Sequence, residues 1–133
     1  MKTLTLIASL FIASSSFAAC ASAFTDHDWQ GTWAYGTTQH RETGQVTHAH
    51  FGSNNTLSVN YTMPNSTSLE TATLKYACEA SSPYTATLTG TARGATLDKT
   101  KAILMNDNHL IVYGYALYSG KTLLISAYLQ SKT

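Results

Sequence analysis

Only two cysteines and two prolines occur in 133 residues, and charged side chains make up 11% of the chain. So few cysteines exclude the small secreted scaffolds that replace a core with a dense set of bridges. Eight Lys and Arg stand against seven Asp and Glu, which leaves no basic stripe of the kind that holds nucleic acid or an anionic membrane. Beyond the first two dozen residues no apolar run approaches the roughly 20 needed to cross a bilayer as a helix. Helical periodicity is missing throughout. So are Gly-x-Ser-x-Gly, His-Glu-x-x-His, a phosphate-binding glycine loop and a suggestive carboxylate pair, so catalysis is not the first expectation.

What is present begins with a leader. Lys2 precedes an apolar run over residues 4–17, followed by the small residues Ala18, Ala19, Cys20, Ala21, Ser22 and Ala23. This is the charged, apolar and small-residue order of a cleavable secretory signal. Ala21 and Ala23 satisfy the small-x-small rule best, so residues 1–23 are read as signal peptide and residues 24–133 as one domain, secreted or periplasmic. A minority reading takes Phe17-Ala18-Ala19-Cys20 as a degenerate lipoprotein signal with the chain anchored through Cys20. A cut after Ala23 leaves Cys78 as the only thiol, so no intrachain disulfide is expected and Cys78 is read as a small buried hydrophobe.

The body of the chain is rich in Thr and Tyr, which favour pleated surface over helix. Alternating apolar and polar runs, punctuated by Gly, Asn, Ser, Asp and Pro, predict eight strands at 32–39, 45–51, 56–62, 70–78, 84–92, 95–105, 109–118 and 121–129. Most links are hairpin-short, so successive strands should pair. An all-β, eight-stranded antiparallel up-and-down barrel follows, since closure removes unpaired edges; a two-sheet β-sandwich is the alternative.

Parity turns Leu74, Tyr76, Cys78, Tyr84, Ala86 and Leu88 inward and the intervening threonines outward. The last hairpin breaks this rule, being apolar on both faces. Such a strand is covered on both sides, here by a terminal segment, a docked partner or a second copy meeting it through Leu110, Tyr113, Tyr115 and Leu124.

Trp29-Gln30-Gly31-Thr32-Trp33 opens the first strand and resembles the Gly-x-Trp start of the calycin-type barrels, which include lipocalins, fatty-acid-binding proteins and the avidin group. The resemblance implies that Gly31 lets the chain enter the barrel tightly and that Trp33 packs across its closed end. The chain departs from lipocalins in being short, in showing no helix after the last strand and in its missing disulfide pair.

His48-Ala49-His50 places two imidazoles on one strand face. A turn at 41–44 sets Tyr35 opposite His50 and Thr37 opposite His48, with Trp33 on the same face. The predicted ligand-binding wall is therefore Trp33, Tyr35, His48, His50, Tyr61 and Tyr76, and the expected ligand is a small aromatic or amphipathic molecule. The histidine pair could also hold a transition metal, with a third ligand from Asp26, His27 or Asp28; otherwise no cofactor is expected. An isomerase or cyclase would need that same pair as its interior acid or base. The competing class is a secreted interaction protein, a hydrolase inhibitor or effector that docks through loops or the final hairpin. Asn54, Asn60 and Asn65 head Asn-x-Ser/Thr sequons, which carry glycans only in a eukaryotic secretory pathway.

Overall fold

Alternation of Thr with Ala, Leu and Tyr makes two-faced strands, and two-faced strands joined by tight turns curl until their apolar side is enclosed. The computed structural model describes residues 19–132. A short helix, α1 (Ala23–Asp26), leads into β1 (Asp28–Gly36), β2 (Arg41–Phe51), β3 (Thr56–Thr62), β4 (Leu69–Glu79), β5 (Ser82–Thr89), β6 (Thr91–Ala92), β7 (Ala95–Asn106), β8 (His109–Tyr118) and β9 (Lys121–Lys132). Pairing runs β1-β2-β3-β4-β5-β7-β8-β9, all antiparallel, and β9 returns to β1. The result is a closed eight-stranded up-and-down barrel, with the two-residue β6 as an extra strand folded back on β7.

The hairpins follow their turn chemistry. Arg93-Gly94 and Ser119-Gly120 both carry positive φ at each residue (51° and 80°, 48° and 75°), the backbone that matches the twist of adjacent strands. Between β1 and β2 the turn lies at 37–40 rather than 41–44. The Thr37 hydroxyl accepts hydrogen bonds from the Gln39 and His40 amides at 3.3 and 3.1 Å, a local side-chain turn that stops the strand early. β1 also starts earlier than expected, at Asp28, because Asp28, Trp29 and Gly31 are already paired with β9. Gly31 fulfils its expected role, because a Cβ there would fall on the Tyr128 carbonyl oxygen of β9.

One end of the barrel is plugged. Phe24 and Trp29 are both fully buried, and Phe51, Leu57, Tyr76, Leu104, Leu110 and Leu129 pack around them. Phe24 meets Phe51 edge-on at 5.1 Å, and Phe51 meets Tyr76 at 5.0 Å. The Trp29 indole donates to the Phe24 carbonyl at 3.2 Å, and the Tyr76 hydroxyl donates to the Gly52 carbonyl. The closed-end tryptophan is thus Trp29, four residues before the expected Trp33. The reason is depth: Trp29 lies at the start of β1, beside the inward-folded α1, whereas Trp33 has climbed toward the other end.

The expectation that no intrachain disulfide forms is overturned. Cys20 and Cys78 are joined across a sequence separation of 58, with Cα atoms 5.3 Å apart, so the segment before α1 is stapled to the end of β4. The Ala21 amide also donates to the Pro83 carbonyl at 2.8 Å. The same bond occupies the sulfur through which lipid would have anchored the chain.

Inward parity holds at Tyr76, Ala86 and Leu88, all buried, and at Leu74, which faces the lumen. Tyr84 is a correction, being exposed near the start of β5, where the barrel wall ends. Leu110 is another: it is fully buried inside the plugged end and is unavailable to any outer contact between copies. Tyr113 and Tyr115 do face outward, with Leu117 and Tyr128 beside them, and all four stay exposed (39–55%). Among the described residues nothing covers that face.

Candidate functional site

The end opposite the plug is open. There the barrel encloses a cavity of about 330 Å³. Trp33 and Tyr35 from β1, Tyr61 from β3, Leu97 from β7, Tyr118 from β8 and Leu123 from β9 supply much of its wall. Trp33 and Tyr35 stack with ring centres 5.3 Å apart and planes 20° off parallel, and Tyr61 stands edge-on to Trp33 at 5.7 Å. Two residues apart on one strand, Trp33 and Tyr35 share a face by the pleat alone. Their opposite numbers on β2 are Gly44 and Glu42, and it is Gly44 that leaves room for the indole. The Trp33 indole donates to the Thr62 carbonyl at 2.9 Å, fixing the ring as a rigid wall.

Polar groups gather only at the rim. The Tyr35 hydroxyl donates to Glu42 Oε2 at 3.1 Å. Arg93 pairs with Glu70 at 2.7 Å, so the one charged residue of the cavity wall is neutralised by its neighbour. Burial, and then the Glu42 carboxylate, push the Tyr35 phenol above its ordinary value; burial and the nearby Glu70 do the same to Tyr61. Both stay protonated donors across the physiological range. Such walls suit a small molecule with aromatic or aliphatic surface and few charges.

Of the six residues expected to line the site, the structure brings together Trp33, Tyr35 and Tyr61. Tyr76 is buried in the plug at the other end. His48 and His50 lie outside the barrel. A bulge between Val46 and His48 inserts an extra residue into β2, so Gly44, Val46, Ala49 and Phe51 point in and the imidazoles point out. The signal was present: the apolar positions 46, 49 and 51 step by three and then two, which strict period-2 alternation does not allow. Tyr118, Leu123 and Ile125 of the cavity wall were missed, because the last hairpin is apolar on both faces and parity alone does not choose between them.

Outside, Asp28 bridges the two imidazoles. Its Oδ1 lies 2.7 Å from His50 Nδ1 and its Oδ2 lies 3.3 Å from His48 Nε2. Lys132 Nζ donates to His48 Nδ1 at 3.0 Å and to the Thr47 carbonyl at 3.3 Å. The hydrogen bond from His50 holds the Asp28 carboxyl below its ordinary range, with the neighbouring cationic groups adding to it. Among the described residues no group of three or more His, Cys, Asp or Glu is arranged to hold a metal ion. The carboxylate itself fills the space between the rings, and Lys132 sets a positive charge beside them. An interior acid or base for an isomerase or cyclase is therefore not supplied by this pair.

The closed eight-stranded ring, plugged at one end and entered at the other beside a Gly31-Thr32-Trp33 start, matches solved barrels across most of its length. Bovine odorant-binding protein, solved with its natural ligand, superposes with a TM-score of 0.54 at 9% identity, covering 87% of this chain and 76% of that one. The fold is a calycin-type barrel. A dog lipocalin allergen (TM-score 0.50, 11% identity, 77% of this chain and 70% of that one) shares this calycin-type fold. A redesigned β-barrel matches with a TM-score of 0.57 at 18% identity, over 89% of this chain and all of that one. No protein-family model and no curated protein matches the sequence. At these identities the shared property is the barrel itself.

Proposed function

We propose that this chain is an exported binding protein whose calycin-type barrel takes a small, weakly charged ligand through the open end, against Trp33, Tyr35 and Tyr61. The observation that carries the reading is the 330 Å³ cavity with its stacked aromatic wall. A packed interior would have left no such room. Bovine odorant-binding protein, a similar barrel solved in complex with its natural ligand, lends the reading support. Saturable binding of the neutral fluorophore N-phenyl-1-naphthylamine, followed by the rise in its own emission, is the test. Trp33→Ala and Tyr61→Ala should each weaken it about tenfold or more, while His48→Ala and His50→Ala leave it unchanged. Binding that ignores the cavity variants sinks the proposal.

Export is supported by the leader and by the Cys20–Cys78 bond, since such bonds persist in oxidising compartments. A cut after Ala23 would remove Cys20 and detach the strand-side anchor of Phe24. A cut after Ala18, where Ser16 and Ala18 provide the small residues, would keep Cys20 and its bond to Cys78. The mass of the exported chain should then correspond to a start at Ala19. A second reading, docking of a protein partner, is favoured by one observation, the exposed Tyr113, Tyr115, Leu117 and Tyr128 on the outer face of β8 and β9.

A further inference from the structure

Beneath the aromatic cavity lies a second, inner one of about 110 Å³, walled by Phe51, Leu57, Leu88, Leu110, Val112 and Leu129 among others, and bounded below by the plug. Leu74, Leu97 and Ile125 belong to the walls of both cavities, so they form a waist between an outer chamber and an inner one. The two chambers differ in chemistry. The outer has an indole, phenols and the Arg93–Glu70 pair at its rim. The inner offers no polar atom to its contents: the one hydroxyl in its wall, on Thr100, is turned to the backbone carbonyls of Asp98 and Tyr115 at 3.2 and 3.1 Å.

We infer that the barrel takes an amphipathic ligand tail first, an unbranched alkyl end passing the Leu74–Leu97–Ile125 waist into the inner chamber while the polar head stays at the Trp33–Tyr35 wall and the rim. This rests on the proposed small-ligand function and adds the ligand's class and orientation. A polar group carried past the waist would lose water and gain no partner, whereas each methylene placed there gains by leaving water. Chain length is read by the inner chamber, because the plug of Phe24, Trp29 and Phe51 gives it a fixed floor.

The experiment is displacement of N-phenyl-1-naphthylamine by straight-chain primary alcohols from hexanol to dodecanol. Affinity should rise about fourfold per methylene until the chamber is filled and then level off. Val112→Phe and the milder Ala127→Leu, opposite each other across β8 and β9 and both in the inner wall, should move the levelling point to chains at least two carbons shorter. On the unaltered protein, a diol with hydroxyls at both ends should bind at least tenfold more weakly than the alcohol of equal length. If the fluorophore and alcohols bind but the levelling point stays fixed in either folded variant, or the diol binds as well as the alcohol, the tail-first inference is overturned and the binding function stands. If neither fluorophore nor alcohol binds, both fall together.

Discussion

Two tryptophans four residues apart do different work. Trp29 is sealed in the plug and bonded to the Phe24 carbonyl, so Trp29→Ala should cost about 3–5 kcal/mol in a denaturant titration. Trp33 faces the cavity, so Trp33→Phe should keep stability within about 1 kcal/mol and abolish ligand-dependent quenching, while Trp29→Phe preserves the quenching. Asp28 gives a pH signature. Its folded-state carboxyl is held below the ordinary value of 3.8, so its contribution to stability is present above that pH and is lost as pH falls through the folded value. Asp28→Asn should lower stability at neutral pH and flatten the acid limb below about pH 4, as followed by unfolding midpoints at stepped pH. From sequence, Trp33, Tyr35 and Tyr61 are legible as a wall because pleat parity carries them inward. His48 and His50 are misplaced by one inserted residue.

At the level of elements, the strands are legible from alternation and turn residues, and all eight expected segments overlap barrel strands. The boundaries that differ have local causes: the Thr37 hydroxyl moves the first turn, and a bulge bends β2. The N-terminal staple is not legible, because small-residue rules favour a cut that would discard Cys20, and only the fold reveals that Phe24 is a core residue. Closing a 58-residue separation restricts the unfolded chain by on the order of 4 kcal/mol. Cys78→Ser should therefore lower unfolding stability by a large part of that amount. It should also raise hydrogen exchange in α1 and at the start of β1 well above that in β7 and β8.

For the molecule as a whole, the barrel was inferable because eight short strands in meander order need closure to hide their edges. Whether it would be hollow was not, since hollowness depends on how inward side chains meet across the lumen. The outward Tyr113 and Tyr115 bear on the docking reading. Tyr113→Ser with Tyr115→Ser should leave thermal unfolding within about 1 kcal/mol of the parent and leave alcohol affinity unchanged. A pull-down that loses a protein partner in this variant supports docking, and an undisturbed one removes the hairpin from that role.

Because β9 comes home to β1, Asp28 and Lys132 are ladder neighbours, and both sit at the plugged end. A tag, a tether or a joined neighbouring domain attached before Cys20, which the Cys78 bond holds at the same end, or after Lys132 would hang from the floor of the cup. The rim would remain unobstructed, so the protein is suited to display on a surface or to circular rearrangement of its chain without hindering what enters it.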